Sequence, residues 1–429
     1  MRSFNKKTKI IILTILILAM AILGGQFLSK GYLSNFGEDK EEKLKGDITF
    51  VSNRTDKRDE IEEMINSFEE LHPDVNIKLE LMGDPDKILQ RRAAVGELPD
   101  VTLVPSTIPK TEYDNYFLTI DDLGFNNDNI YNYDMGAGDD GRLYCLNSSV
   151  TWQGVIYNKN IFKELGIEKI PTTIGELFEI CEKIKNYGIT PIAINYRQGW
   201  TMSLWKDIIP HLFDNKLSKE TILGVKNILD VDSGMYKSLN LVREIVNRGY
   251  CEENLLNYDW QEFKNDMSNG KVAMTIWNSD FMNQLEDMGM DKEDVGIFPI
   301  PESQVIKIYG DYKFAVSKNS DYPEVAKAFL KYIFEEDRYA NAINVVSPLK
   351  SDDYYETKFN MIEGYDIPIE IYTDFVRKQS SEDAKMEEDY LSIRKKCGLD
   401  ESFVQRYIIE ENIESLIDET NKKWQELMQ

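Results

Sequence analysis

The most constraining stretch of this 429-residue chain is an alternation of strand and helix signals packed into about sixty residues. Ile48 to Val51 is a short apolar run rich in strand formers. Ile61, Met64, Ile65, Phe68 and Leu71 then recur at three- and four-residue spacing, which predicts an amphipathic helix with Thr55 or Asp56 as its cap. Pro73-Asp74 ends it, and residues 75–81 alternate apolar and polar as a half-buried strand does. A short helix over 85–94 leads to a third strand at 101–104. Strand, helix, strand, helix, strand at this density predicts an α/β lobe with a mainly parallel sheet, because parallel neighbours need a crossover between them.

A second α/β region follows. Gly154 to Tyr157, Pro191 to Asn195 and Val272 to Ile276 read as strands. Helical patterns occupy 174–187, where Pro171-Thr172-Thr173 is the start signal, and also 202–213, 234–248, 261–268 and 323–334. The carboxyl-terminal stretch from about 367 is charged and helical, with an apolar stripe that includes Tyr407, Ile408, Leu416 and Trp424 and that fits a cover for one lobe.

Ahead of the folded part, Arg2, Lys6, Lys7 and Lys9 precede an apolar run from Ile10 to about Leu28. As a helix that run spans about 28 Å, near bilayer thickness, and the basic flank directs the rest of the chain outward. It reads as a cleaved export signal, with Ala19-Met20-Ala21 at the cleavage site, or as a retained membrane anchor. Residues 29–45 read as a flexible tether.

Composition excludes several functions. A formal net charge of −25 repels phosphate backbones, so nucleic acid is not an expected partner. The four cysteines, Cys145, Cys181, Cys251 and Cys397, form no CxxC pair, which argues against a metal or redox site and leaves two disulfides or four buried thiols. The chain lacks a phosphate-binding loop, a dinucleotide fingerprint, HExxH and GxSxG, so neither catalysis nor a cofactor is expected.

Five stretches, in order, resemble family 1 extracellular solute-binding proteins, the group that contains maltose- and other oligosaccharide-binding proteins. They are Leu98-Pro99-Asp100-Val101; Gly141-Arg142-Leu143-Tyr144 with Val155-Ile156-Tyr157-Asn158-Lys159-Asn160-Ile161-Phe162; Leu165-Gly166-Ile167 with residues 170–177; Phe263 with Asn269-Gly270-Lys271-Val272-Ala273-Met274; and residues 297–301 with 316–320 and 326–330. The resemblance runs from about Asp47 to Pro348. It departs from the family pattern at Ile174 and Gly175, where a Trp and an Asp are usual, and after Tyr144, where a Pro is usual. Many relatives carry a lipid-bearing Cys after a Leu-Ala-Gly-like triplet; here Leu23-Gly24-Gly25 is followed by Gln26, so a lipoprotein is not expected.

The resemblance implies a two-lobed, periplasmic-binding-protein-like α/β fold. Residues 46–150 and 306–355 would form one lobe, and 151–305 and 356–429 the other, with crossings near 148–154 and 303–310. It also implies a monomer that closes its lobes on a carbohydrate or other small solute and presents it to an ABC permease. A surface glycan hydrolase and a ligand-loaded sensor are the alternatives. A sugar needs flat aromatic groups against its C–H faces and planar polar groups along its hydroxyl rim. Trp200, Trp277 and Trp152 are the aromatic candidates, with Trp277 placed where the family turns from a strand into its cleft. Asn53, Arg54, Ser106, Asp311 and Tyr312 are the polar ones, because each follows a strand and α/β sheets bind ligands at strand ends.

Overall fold

A computed structural model describes residues 43–214, 225–350, 365–371, 389 and 392–428. The anchor or signal segment expected over 1–28, most of the tether, and parts of the ranges assigned to both lobes lie outside the described residues. Among the described residues no helix is long and apolar enough to cross a membrane.

Among the described residues twelve strands form three sheets. In chain order they are β1 (Gly46–Ser52), β2 (Val75–Leu81), β3 (Val101–Leu103), β4 (Cys145–Asn147), β5 (Val150–Thr151), β6 (Gln153–Asn158), β7 (Thr190–Ala193), β8 (Val272–Asn278), β9 (Val295–Phe298), β10 (Ile306–Gly310), β11 (Lys313–Val316) and β12 (Ile369–Ile371). The first sheet has the order β2-β1-β3-β11-β4 and the second β7-β8-β6-β9. A small third sheet, β12-β10-β5, lies between them in the chain path, and Tyr309 pairs with Thr151 where two crossings run side by side.

The two larger sheets are mixed rather than uniformly parallel, for a geometric reason. The parallel strands end at the edge that faces the crossings, and the strands that enter from the crossings start there. β6 begins with Gln153 opposite the last residue of β8, Asn278. β11 begins beside the end of β3, where Val104 N–H donates to the Lys313 carbonyl at 2.8 Å. Strand ends and strand starts therefore converge on one region.

Each sheet carries its own core. Around the first, Ile48, Phe50, Val101 and Phe314 pack with Phe329, Ile333 and Tyr339, all buried. The helix Arg58–Leu71 buries Ile61, Met64, Ile65 and Phe68 there, whereas Leu71 at its last position stays exposed. Neither expected cap caps it: Lys57 is the cap residue, and Asp56 binds Arg54 instead. Around the second sheet, Val155, Leu177, Ile192 and Met274 pack with Tyr407 and Trp424 from the carboxyl-terminal helices Glu401–Ile409 and Ile413–Leu427. The Trp424 indole N–H donates to the Val225 carbonyl at 3.0 Å, so that indole is both buried and satisfied. The helix Ile174–Tyr187 opens with a capping box, Thr173 with Glu176, and closes on Gly188 at φ 92°. All four cysteines are buried free thiols.

Candidate functional site

A cavity of about 620 Å³ opens where the first sheet, the crossings and the second sheet meet. Ligand cavities usually span roughly 300–1,000 Å³. The loop after β1 contributes Asn53, Arg54 and Asp56, and the loop after β2 contributes Asp84. The crossings supply Ser148, Asp311 and Tyr312, and the second lobe supplies Trp200, Trp260, Lys264, Trp277 and Asp280.

Three tryptophans form one wall. Trp200 meets Trp260 with ring centres 5.0 Å apart and Trp277 at 5.5 Å, both edge-to-face, and Trp260 meets Trp277 at 5.2 Å. Behind them Trp260 rests on Phe263 and Phe281, which stack on each other at 5.2 Å. This backing is what holds the wall: Phe263 and Phe281 are fully buried, whereas Trp200 stays 42% exposed. Such a surface suits the C–H face of a sugar ring.

The rest of the lining is rich in charge. Arg54 makes a two-pronged contact with Asp56, Nε to Oδ1 and Nη2 to Oδ2, both at 2.9 Å, and its Nη1 donates to the Ile343 carbonyl at 2.8 Å. Burial pulls the guanidinium's pKa down, but Asp56 outweighs that and leaves it above its ordinary value. Asp56 shows the reverse balance: burial raises it, and Arg54 brings it below the usual carboxylate range. Asp280 accepts a hydrogen bond from the Thr151 hydroxyl at 3.4 Å; burial pushes its pKa up while Arg54 pulls it down, with the rise prevailing. Asp311 is pushed up to about 7, by burial first and by neighbouring Asp280 second. Burial lowers Lys264, and Asp56 opposes that shift.

Beside the cavity the lobes touch. Lys57, nearly buried, lies 2.8 Å from Asp287, at the end of the helix Phe281–Asp287. Asn283 on the same helix donates to the Asn344 carbonyl at 2.9 Å.

Six of the eight residues proposed from sequence line this cavity: Asn53, Arg54, Trp200, Trp277, Asp311 and Tyr312. Trp152 does not. It is 2% exposed and packs with Val150, Phe281 and Ile306 in the core beside the crossings, with its ring against the Cα of Gly154. Ser106 also lies off the cavity lining, since its N–H and hydroxyl both donate to the Asp86 carboxylate, at 2.6 and 2.9 Å. Trp260, Asp280 and Lys264 escaped the sequence reading. Asp280 was detectable, because it follows β8 just as Asp311 follows β10.

A family model described as bacterial extracellular solute-binding protein matches residues 52–339, well over half of the chain. The chain belongs to that family. Among curated members it is 24% identical over 320 residues to the multiple sugar-binding protein of Streptococcus mutans, covering 70% of this chain and 73% of that one. It is 23% identical over 336 residues to the melibiose/raffinose/stachyose-binding protein of Bacillus subtilis, covering 74% and 78%. A manno-oligosaccharide-specific solute-binding protein of Bifidobacterium animalis subsp. lactis, solved with mannotriose, superposes with a TM-score of 0.78 at 23% identity, covering 92% of this chain and 97% of that one. That likeness carries the two-lobed fold. Among the described residues no group of three or more His, Cys, Asp or Glu is placed to hold a metal ion.

Proposed function

We propose that this family member captures an oligosaccharide in the inter-lobe cavity and delivers it to an ABC permease. The observation that carries the reading is that the wall of Trp200, Trp260 and Trp277 lines one cavity together with carboxylate and guanidinium groups. Apolar ring faces and hydroxyl rims need that pairing, and a rim group left unpaired against the wrong epimer costs about 1–3 kcal/mol. The sugars named for the curated relatives point the same way. The protein works as a monomer on the outer face of the membrane. Its amino-terminal segment holds it there, since Gln26 stands where a lipid-bearing cysteine would be needed.

The test is a thermal-shift and calorimetry panel of mono- and oligosaccharides that includes mannotriose and raffinose. A ligand at a hundred times its Kd adds about 2.7 kcal/mol of stability. A hit lost in Trp277→Ala supports the reading, and silence across the panel refutes the carbohydrate assignment. One observation favours a second reading, hydrolysis: Asp280 and Asp311 place two carboxyl groups with raised pKa values in the cavity. Chromatography of the incubated sugar separates the two, because a binding protein returns it intact. Membrane fractionation and the mass of the mature amino terminus test the anchor.

A further inference from the structure

Charge in the cavity does not balance. The loop after β1 brings Arg54 and Asp56, which neutralise each other, and three of the Arg54 N–H groups are already committed to Asp56 and Ile343. Asp280 enters from the end of β8 and Asp311 from the crossing after β10, and among the described residues neither has a salt-bridge partner of its own. The remaining groups facing them add little compensation. Lys264, from the helix Trp260–Ser268, interacts with Asp56 and Arg54. Tyr339, behind the first sheet, donates to or accepts from Ser52 Oγ at 2.8 Å and faces Asp311 as a neutral phenol. Tyr312 feels Asp311, Asp84 from the loop after β2 and Asp86 at the start of the next helix, and adds no positive charge. Two carboxyl groups from different parts of the chain thus share one half-buried space with a single, largely committed guanidinium.

We propose that closure of this cavity on its ligand takes up one proton on two lining carboxyl groups that lack a salt bridge among the described residues, Asp280 and Asp311. This rests on the reading of the cavity as the ligand site. Two carboxylates lining one cavity are costly to keep charged once water is excluded, and one proton relieves both the desolvation and the repulsion. Asp311 also belongs to the hinge itself, since its N–H donates to the Ser149 carbonyl at 3.0 Å across the crossings. Its ionisation is therefore felt where the lobes pivot. With the lobes apart, water returns to both carboxyls and their pKa values fall toward about 3.9, the ordinary value for Asp. The closed form then holds a proton that the open form lacks between pH about 4 and about 7. Affinity falls as pH rises through that window, by at most about a factor of ten per unit for one proton, and levels off above it.

The test uses the full-length chain with mannotriose and raffinose as probes. Calorimetry at pH 5.5 and pH 8, in buffers of different ionisation heat, gives both Kd and proton uptake. The expected result is binding about tenfold or more tighter at pH 5.5, with net uptake of protons near pH 6, and loss of both effects in Asp311→Asn whatever that variant's affinity. A wild-type Kd constant within threefold overturns the proposal. If neither sugar binds, the other mono- and oligosaccharides of the panel serve as probes, and silence across all of them refutes the carbohydrate reading and overturns this proposal with it.

Discussion

Replacing Trp200 with Ala separates ligand contact from folding at one position. Trp200 is 42% exposed, and that exposed part faces the cavity. An indole offers up to about 250 Å², so about 100 Å² is free to be covered by a sugar ring. At about 25 cal/mol per Å² that cover contributes about 2.5 kcal/mol, or roughly sixtyfold in affinity. The folded protein alone loses two edge-to-face contacts, with Trp260 and Trp277, worth about 0.5–1.5 kcal/mol each. Isothermal calorimetry with the best sugar of the panel, run well below the variant's unfolding midpoint, reads the binding loss. Urea unfolding reads the other. An affinity within threefold of wild type would show that the ligand does not use this wall, and the argument from exposed indole area would fail with it.

Other substitutions report on different parts of the fold. Trp152→Ala empties a core position and should cost about 3–5 kcal/mol in urea unfolding, whereas Ser106→Ala should leave sugar affinity unchanged, since that hydroxyl is bound to Asp86. Asp287→Asn removes the carboxylate 2.8 Å from Lys57 and weakens the lobe arrangement seen here, so small-angle scattering of the variant should depart from the curve calculated for this structure. Glu176, held by Lys169 and by Thr172, has its pKa lowered to about 2. A depressed pKa stabilises above the unfolded value and is lost as pH falls from about 4.3 toward 2, so Glu176→Gln should lower the melting temperature at pH 7 and match wild type near pH 2.

Much of the fold was readable because local signals agreed with tertiary demands. The alternation over 75–81 became β2 without a shift in bounds, and Pro171-Thr172-Thr173 marked a helix whose capping box the structure completes. The site was readable only as far as the rule that ligands sit at strand ends. That rule selected Arg54 and Asp311, both of which line the cavity. It also selected Ser106, because a strand-end serine looks the same whether it meets a ligand or a neighbouring carboxylate. Asp280, just past the end of β8, falls under the same rule. Trp152 shows a different gap: its side chain sits against Gly154, and which face of a crossing is buried depends on how two lobes meet, which local pattern does not encode. Trp260 carries no local signal of a site, because only its contacts with Trp200 and Trp277, remote in sequence, make it part of a wall.

The place of β11 has a consequence for how the chain comes into being. It lies between β3 and β4 in the first sheet, yet it is separated from β3 by the whole of the second sheet in sequence. A chain emerging from its amino terminus can form β1, β2 and β3 early, but the middle of that sheet stays vacant until residue 316 has appeared. The second core waits longer still, for Tyr407 and Trp424. Neither half can mature while the other is being made, and contacts of such long sequence separation form slowly. The nascent protein therefore passes through a prolonged stage with an open sheet edge, when pairing with another chain competes with completion.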